Sequence, residues 1–184
     1  MEDKREKGRA FTNGLLVFTI IIYLFLLLQI IVFKTLASPL DLFTGNHPFM
    51  RSVNLIPFKG MWDDELTAAS NRTSLFGNVI LFVPLGLLLE TFAPQGKRGA
   101  ARSLAIIAAA SLLFEGIQYT FAIGVTDIND LILNTLGGLA GILIYRILLR
   151  AADRNKARTV IAVAGGLVGV AMVLLYVMLL LANA

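Results

Sequence analysis

Six polar side chains stand in stretches whose other residues are almost all apolar: Asn78, Glu115, Gln118, Asp127, Asp130 and Asn134. Their types are those of hydrogen-bonding, ion-binding or acid–base sites. A carboxyl group deep in a membrane span costs roughly 2.5–3.5 kcal/mol on insertion scales, so Glu115 in particular needs partners or a task. The spacing is also ordered. Glu115 and Gln118 are i and i+3, and Asp127, Asp130 and Asn134 are i, i+3 and i+7, so each set falls on one face of a helix. If the two faces meet, with Asn78 joining them, they form one acidic, amide-rich, ligand-binding pocket.

The residue inventory narrows the chemistry. There is no cysteine and a single histidine, His47, which removes thiolate catalysis, Cys-ligated metals and His-based zinc sites. Serines and threonines have no evident base partner for nucleophilic catalysis. Glu115, Asp127 and Asp130 could still act as acid–base groups or as ligands for a hard divalent cation. An intramembrane enzyme or an ion-coupled protein acting on lipid or cell-wall precursors through these three is therefore the alternative to a binding protein. No cofactor, no resident metal and no catalytic residue is assigned. Plain structural roles compete with these. Asp127 suits the N-cap of a helix with Asp130 at N3 in a capping box. Asn78, Gln118 and Asn134 suit interhelical hydrogen bonds, typically worth about 0.6 kcal/mol each. Glu90 lies close in sequence to Lys97 and Arg98 and reads as a side chain snorkelling to a basic surface. His47 reads as a surface residue of a loop.

The elements that must position these groups follow from hydropathy. Of the 184 residues, 57% are hydrophobic and 15% charged, against roughly 25% charged in a soluble domain, and the mean hydropathy is +0.79. The apolar residues fall in blocks, and five are long enough to span a bilayer at about 20 residues each: 11–33, 75–93, 101–123, 130–149 and 159–182. The expected fold is all-α, a polytopic bundle of five transmembrane helices. Twelve of the 16 Lys and Arg residues lie at 1–10, between the second and third spans, or around the boundary of the fourth and fifth. The positive-inside rule then puts the amino terminus in the cytoplasm and the carboxyl terminus outside. The same placement accounts for the pI near 9.6 through lipid headgroups and membrane orientation, not nucleic acid, for which a clustered basic module is lacking. Gly137-xxx-Gly141 and Gly165-xxx-Gly169 are small-residue faces for close helix approach, more simply within one chain than in a homo-oligomer. Pro84 falls inside the second span and is expected to kink it.

Residues 34–74 form the one sizeable extramembrane segment. Pro39, Pro48, Gly45 and Gly60 predict irregular chain in its first part, and a short helix is expected over Met61–Ala69. Between them, Phe49 to Phe58 is too apolar for a solvated loop and should lie in the interface or fold back onto the helices.

Four blocks in this order and spacing resemble the VanZ-like family: Asn54-Leu55-Ile56-Pro57-Phe58; Gly77-Asn78 with Phe82-Val83-Pro84-Leu85-Gly86; Glu115-Gly116-Ile117-Gln118; and Asp127-Ile128-Asn129-Asp130 running on through Asn134 to Gly138. The resemblance covers residues 50–149. It implies a small multi-pass protein of the bacterial cell membrane, in a family named for a member linked to resistance to the glycopeptide antibiotic teicoplanin. It also draws attention to Asn54, Pro57 and Phe58 as a loop motif. Many members carry an Arg after the glycine of the third loop, where this chain has Val125, so a salt bridge from that Arg to the neighbouring carboxylates is not available here. Teicoplanin-type drugs carry an acyl chain. The function implied is binding or shielding of a lipid-linked or acylated cell-envelope ligand at the outer leaflet. The expected partners are membrane lipids and a lipoglycopeptide or lipid-linked cell-wall precursor. Five spans without a detectable repeat fit poorly with an inverted-repeat transporter.

Overall fold

A computed structural model describes residues 2–32, 49–59, 65–94 and 96–182. Among these residues five helices and two short strands follow in the order α1 (Glu2–Ile31), β1 (Met50–Asn54), α2 (Glu65–Phe92), α3 (Lys97–Phe121), β2 (Ile123–Asp127), α4 (Ile128–Ala151) and α5 (Arg154–Ala182). Four of the helices, α1, α3, α4 and α5, are long and apolar enough to cross a membrane, and α2 contributes a shorter apolar stretch, Phe76–Phe92. The outward faces fit a lipid solvent: Ile21, Leu113, Ile147, Leu167 and Val168 are each about three-fifths exposed or more. Hydroxyls on the helices turn back on their own backbone, Thr19 Oγ1 donating to the Leu15 carbonyl and Thr135 Oγ1 to that of Leu131, as polar groups in hydrocarbon require. The expectations for His47, for irregular chain over 34–48 and for a helix start at Met61 lie outside the described residues. From Glu65 onward the short helix expected there is the first part of α2.

The chain divides into two compact units, Met1–Leu26 with Ile147–Ala184, and Leu27–Arg146. In the first unit α1 and α5 run side by side and parallel. Arg158 Nη2 donates to Asn13 Oδ1 at 3.0 Å, and further along, a Cβ added at Gly165 or Gly166 would press into Thr19 or Leu15. The Gly165-xxx-Gly169 face thus meets α1 of the same chain. Asp153 starts α5 by accepting the Lys156 N–H at Oδ1, 3.0 Å. That backbone bond, with the Lys156 ammonium 3.4 Å away, holds its carboxyl below the ordinary carboxylate range.

The second unit is built on α2, α3 and α4. Gly137 and Gly141 on α4 lie against the Val79 and Val83 carbonyls of α2, and Gly86 on α2 lies against the Gly138 carbonyl. Side chains there would hold the backbones apart, so the small-residue face serves this intrachain contact. The rising pairs 79/137 and 83/141 make α2 and α4 parallel. Antiparallel α3 packs on both, through the edge-to-face pair Phe82–Phe114 (6.2 Å between centroids) and through Ile107 against Gly138. α2 continues through Pro84 as one helix.

Two findings depart from the sequence reading. Met50–Asn54, within the stretch expected to lie in the interface or fold back onto the helices, is a strand, paired in parallel with Ile123–Asp127 in the register Met50↔Ile123 to Asn54↔Asp127, so the architecture is not purely helical but includes a two-stranded ribbon. And Glu90 does not snorkel. It is 6% exposed, accepts the Ser103 hydroxyl at 2.7 Å, and lies 3.9 Å from Arg146 Nε, whose Nη2 donates to the Gly96 carbonyl. A buried carboxylate is tolerated when it is paired and hydrogen-bonded, and α3 and α4 supply both.

Candidate functional site

The ribbon sits where α3 ends and α4 begins. α3 stops at a left-handed C-cap, Ala122 (φ 53°), whose N–H bonds back to the carbonyls of Gln118 and Tyr119. Arg51 of β1 secures the same terminus. Its Nε and Nη2 donate to the Tyr119 and Thr120 carbonyls, both at 3.2 Å, and its guanidinium carbon is 5.2 Å from the Tyr119 ring centroid. A cation is favoured at the negative end of the helix dipole.

Asp127, the last residue of β2, is the N-cap of α4: its Oδ1 accepts the Asn129 N–H at 2.9 Å. In a capping box the N-cap N–H would be bonded by the N3 side chain. Here the Asp127 N–H is donated across to Glu115 Oε2 of α3 at 2.9 Å, a correction to the local box. Asp130 takes another partner, accepting Asn78 Nδ2 of α2 at 2.6 Å. The second oxygen of Asp127 accepts Asn54 Nδ2 of β1 at 3.1 Å. Thus Asn54, Asp127 and Glu115 form one bonded set and Asn78 and Asp130 another, and together they join β1, α3 and α2 to the start of α4.

The turn after β1 carries the other two motif residues. Lys59 N–H bonds to the Ile56 carbonyl at 3.3 Å, with Pro57 and Phe58 between them. Pro presets φ at the second position of such a turn, and a type II turn needs positive φ at the third. Phe58 has φ 60°, a conformation that favours glycine and is strained for an aromatic residue. Its N–H is held by Asn129 Oδ1 at 2.8 Å. Beside this anchored backbone Leu55, Ile56 and Phe58 present apolar side chains outward, at 69%, 58% and 45% exposure.

Gln118 and Asn134 are drawn in differently. Asn134 Nδ2 donates to Ser111 Oγ, one turn below Glu115, at 2.9 Å. Gln118 Nε2 donates to the Ile31 carbonyl at the end of α1, at 2.7 Å. Both side chains are essentially fully buried, and each amide oxygen is without a protein donor among the described residues. Three contributors were not foreseen. Ser111 could have been found by extending the Glu115 stripe back one turn. Asn129 and Arg51 take roles set by chain distant in sequence, for which no local signal exists.

The profile of the VanZ/LLP1 family matches residues 20–149. The chain is also 35% identical over 158 residues to Protein VanZ of Enterococcus faecium, covering 86% of this chain and 88% of that protein. The chain belongs to the VanZ/LLP1 family. No solved structure matches it. The match starts inside α1, earlier than the four sequence blocks indicate, and Gln118 on the Ile31 carbonyl shows one bond by which that end of α1 joins the VanZ core. The exposed apolar helices and the VanZ relationship together are consistent with a multi-pass membrane protein.

Proposed function

We propose that this VanZ family member resides in the bacterial cytoplasmic membrane with five spans, amino terminus inside. In this reading the network around Asp127 is a binding site at the outer leaflet for a lipid-linked or acylated cell-envelope ligand. One observation carries the proposal: a carboxylate–amide network, Asn54–Asp127–Glu115, anchors a strained turn that turns apolar side chains outward. Polar groups fixed beside exposed apolar ones suit a ligand with a polar head and an acyl tail. The family relationship supports the choice of teicoplanin, an acylated glycopeptide, as the test compound.

Expressed in a susceptible Gram-positive host, the protein should raise tolerance to teicoplanin more than to vancomycin, which lacks the acyl tail. Phe58→Gly sharpens the test. Glycine removes backbone strain of order 1–3 kcal/mol at positive φ, so the variant should melt no lower than the parent in detergent while losing the teicoplanin effect. Equal shifts for the two drugs, or full activity of Phe58→Gly, would sink the acyl-recognition reading.

A further inference from the structure

A polar cavity lies in the unit formed by α1 and α5, which is not the unit that holds the Asp127 network. It has a volume of about 1020 Å³, and its polar lining comes from Glu6, Arg9, Thr12 and Asn13 of α1 and from Asn155, Arg158 and Thr159 of α5. We infer that this cavity is a binding site for the phosphate of an anionic phospholipid.

The donors are set for an anion. Asn13 Oδ1 is occupied by the Arg158 guanidinium, which fixes the amide so that its Nδ2 remains a donor. Arg9 has no hydrogen bond or ion pair among the described residues. The two hydroxyls, Thr12 and Thr159, donate to carbonyls of their own helices, Gly8 and Asn155. Two arginines against the single Glu6 leave one net positive charge in the lining, which suits the single negative charge of a phosphodiester. Guanidinium groups match phosphate oxygens in fork geometry.

The surroundings select a lipid over a soluble phosphate. The cavity lies where the polar ends of both helices give way to apolar sequence. Phe11, in its lining, is 71% exposed. From one residue past Thr159, Val160, Val163 and Leu167 make an exposed stripe along α5, at 54%, 43% and 69%. Their i, i+3, i+7 spacing puts them on one helix face. A headgroup in the cavity would have its acyl chains laid along that stripe, in the manner of basic pockets between membrane helices.

Native mass spectrometry of the full chain in mixed phosphatidylglycerol and phosphatidylcholine nanodiscs tests this. The parent should retain phosphatidylglycerol over phosphatidylcholine. A hydrogen bond to a charged group is worth about 1.5–3 kcal/mol, so Arg9→Gln and Arg158→Gln should each lower retention roughly ten-fold or more. Arg9→Gln, at an exposed position, should leave the melting temperature unchanged, which separates lost binding from lost folding. Arg102→Gln, an exposed arginine of the other unit, should retain lipid as the parent does. Unchanged retention in Arg9→Gln, an equal loss in Arg102→Gln, or displacement of the lipid by an equal concentration of soluble glycerol phosphate would each overturn the assignment.

Discussion

The bond from the Asp127 N–H to Glu115 Oε2 makes a helix N-terminus depend on a residue from another helix. Glu115 is 5% exposed, so a side chain without an acceptor would leave that N–H facing an apolar surround. Glu115→Leu should therefore destabilise the protein by about 1–3 kcal/mol, the cost of a buried unsatisfied donor. Glu115→Gln keeps an oxygen in the same place and should lose much less. Thermal unfolding in detergent checks the pair, and similar losses in both variants would mean that charge, not the acceptor atom, holds the start of α4. A Gln variant that folds but no longer protects cells would favour the reading in which Glu115 works as an acid or ion ligand. At this scale the sequence was informative in one direction. Residue types and helical spacing identified Glu115, Asp127 and Asp130 as groups needing partners, and the N-cap role of Asp127 was readable from its position. Which atoms meet was not. Asn134 pairs with Ser111 and Glu90 with Ser103 and Arg146, choices decided by helix packing that no one-dimensional pattern encodes.

Among the elements of the second unit, α2 and α4 meet backbone to backbone at their glycines. A Cβ on Gly141 would collide with the Val83 carbonyl oxygen, and one on Gly137 with that of Val79. Backbone atoms cannot rotate aside as a flexible side chain does. Gly141→Ala should therefore cost about 1–3 kcal/mol, the usual range for overpacking. Gly116→Ala, on α3 with open space around its Cβ position, should be neutral or stabilising by up to about 1 kcal/mol, since alanine is the better helix former. Equal effects at the two sites would show that helix propensity, not contact, governs the response. The small-residue face is legible in the sequence because Gly-xxx-Gly spacing is local. The ribbon is not. Five residues are too few for alternation to declare a strand, and the partner of Asn54 lies 73 residues away. Only the excess apolarity of Phe49 to Phe58 marks the segment as something other than a solvated loop.

Helix directions constrain the topology of the whole molecule. α1 and α5 are parallel within their unit, as the contacts of Asn13 with Arg158 and of Thr19 with Gly165 require. α2 and α4 are parallel within theirs, with α3 running the other way between them in sequence. Successive spans of a membrane chain alternate in direction, so odd-numbered helices should agree with one another and even-numbered ones likewise. Both parallel pairs obey that rule if all five helices cross, including α2 with its shorter apolar stretch, Phe76–Phe92. In the proposed five-span topology sidedness comes from charge: twelve of 16 Lys and Arg residues would then fall on the side of the start of α1, the α2–α3 connection and the α4–α5 connection, which the positive-inside rule would assign to the cytoplasm. The absence of cysteine makes this directly measurable. Single cysteines at Ser52, Val125, Ala101 and Asn155 all occupy exposed positions, so differences in labelling report sidedness and not burial. In intact cells an impermeant maleimide should label positions 52 and 125 and leave 101 and 155 untouched until the membrane is opened. Labelling of 101 from outside would invert the charge assignment. Labelling of both 52 and 101 from the same face would mean that α2 does not cross, and the parallel pairing of α2 with α4 would then need another cause.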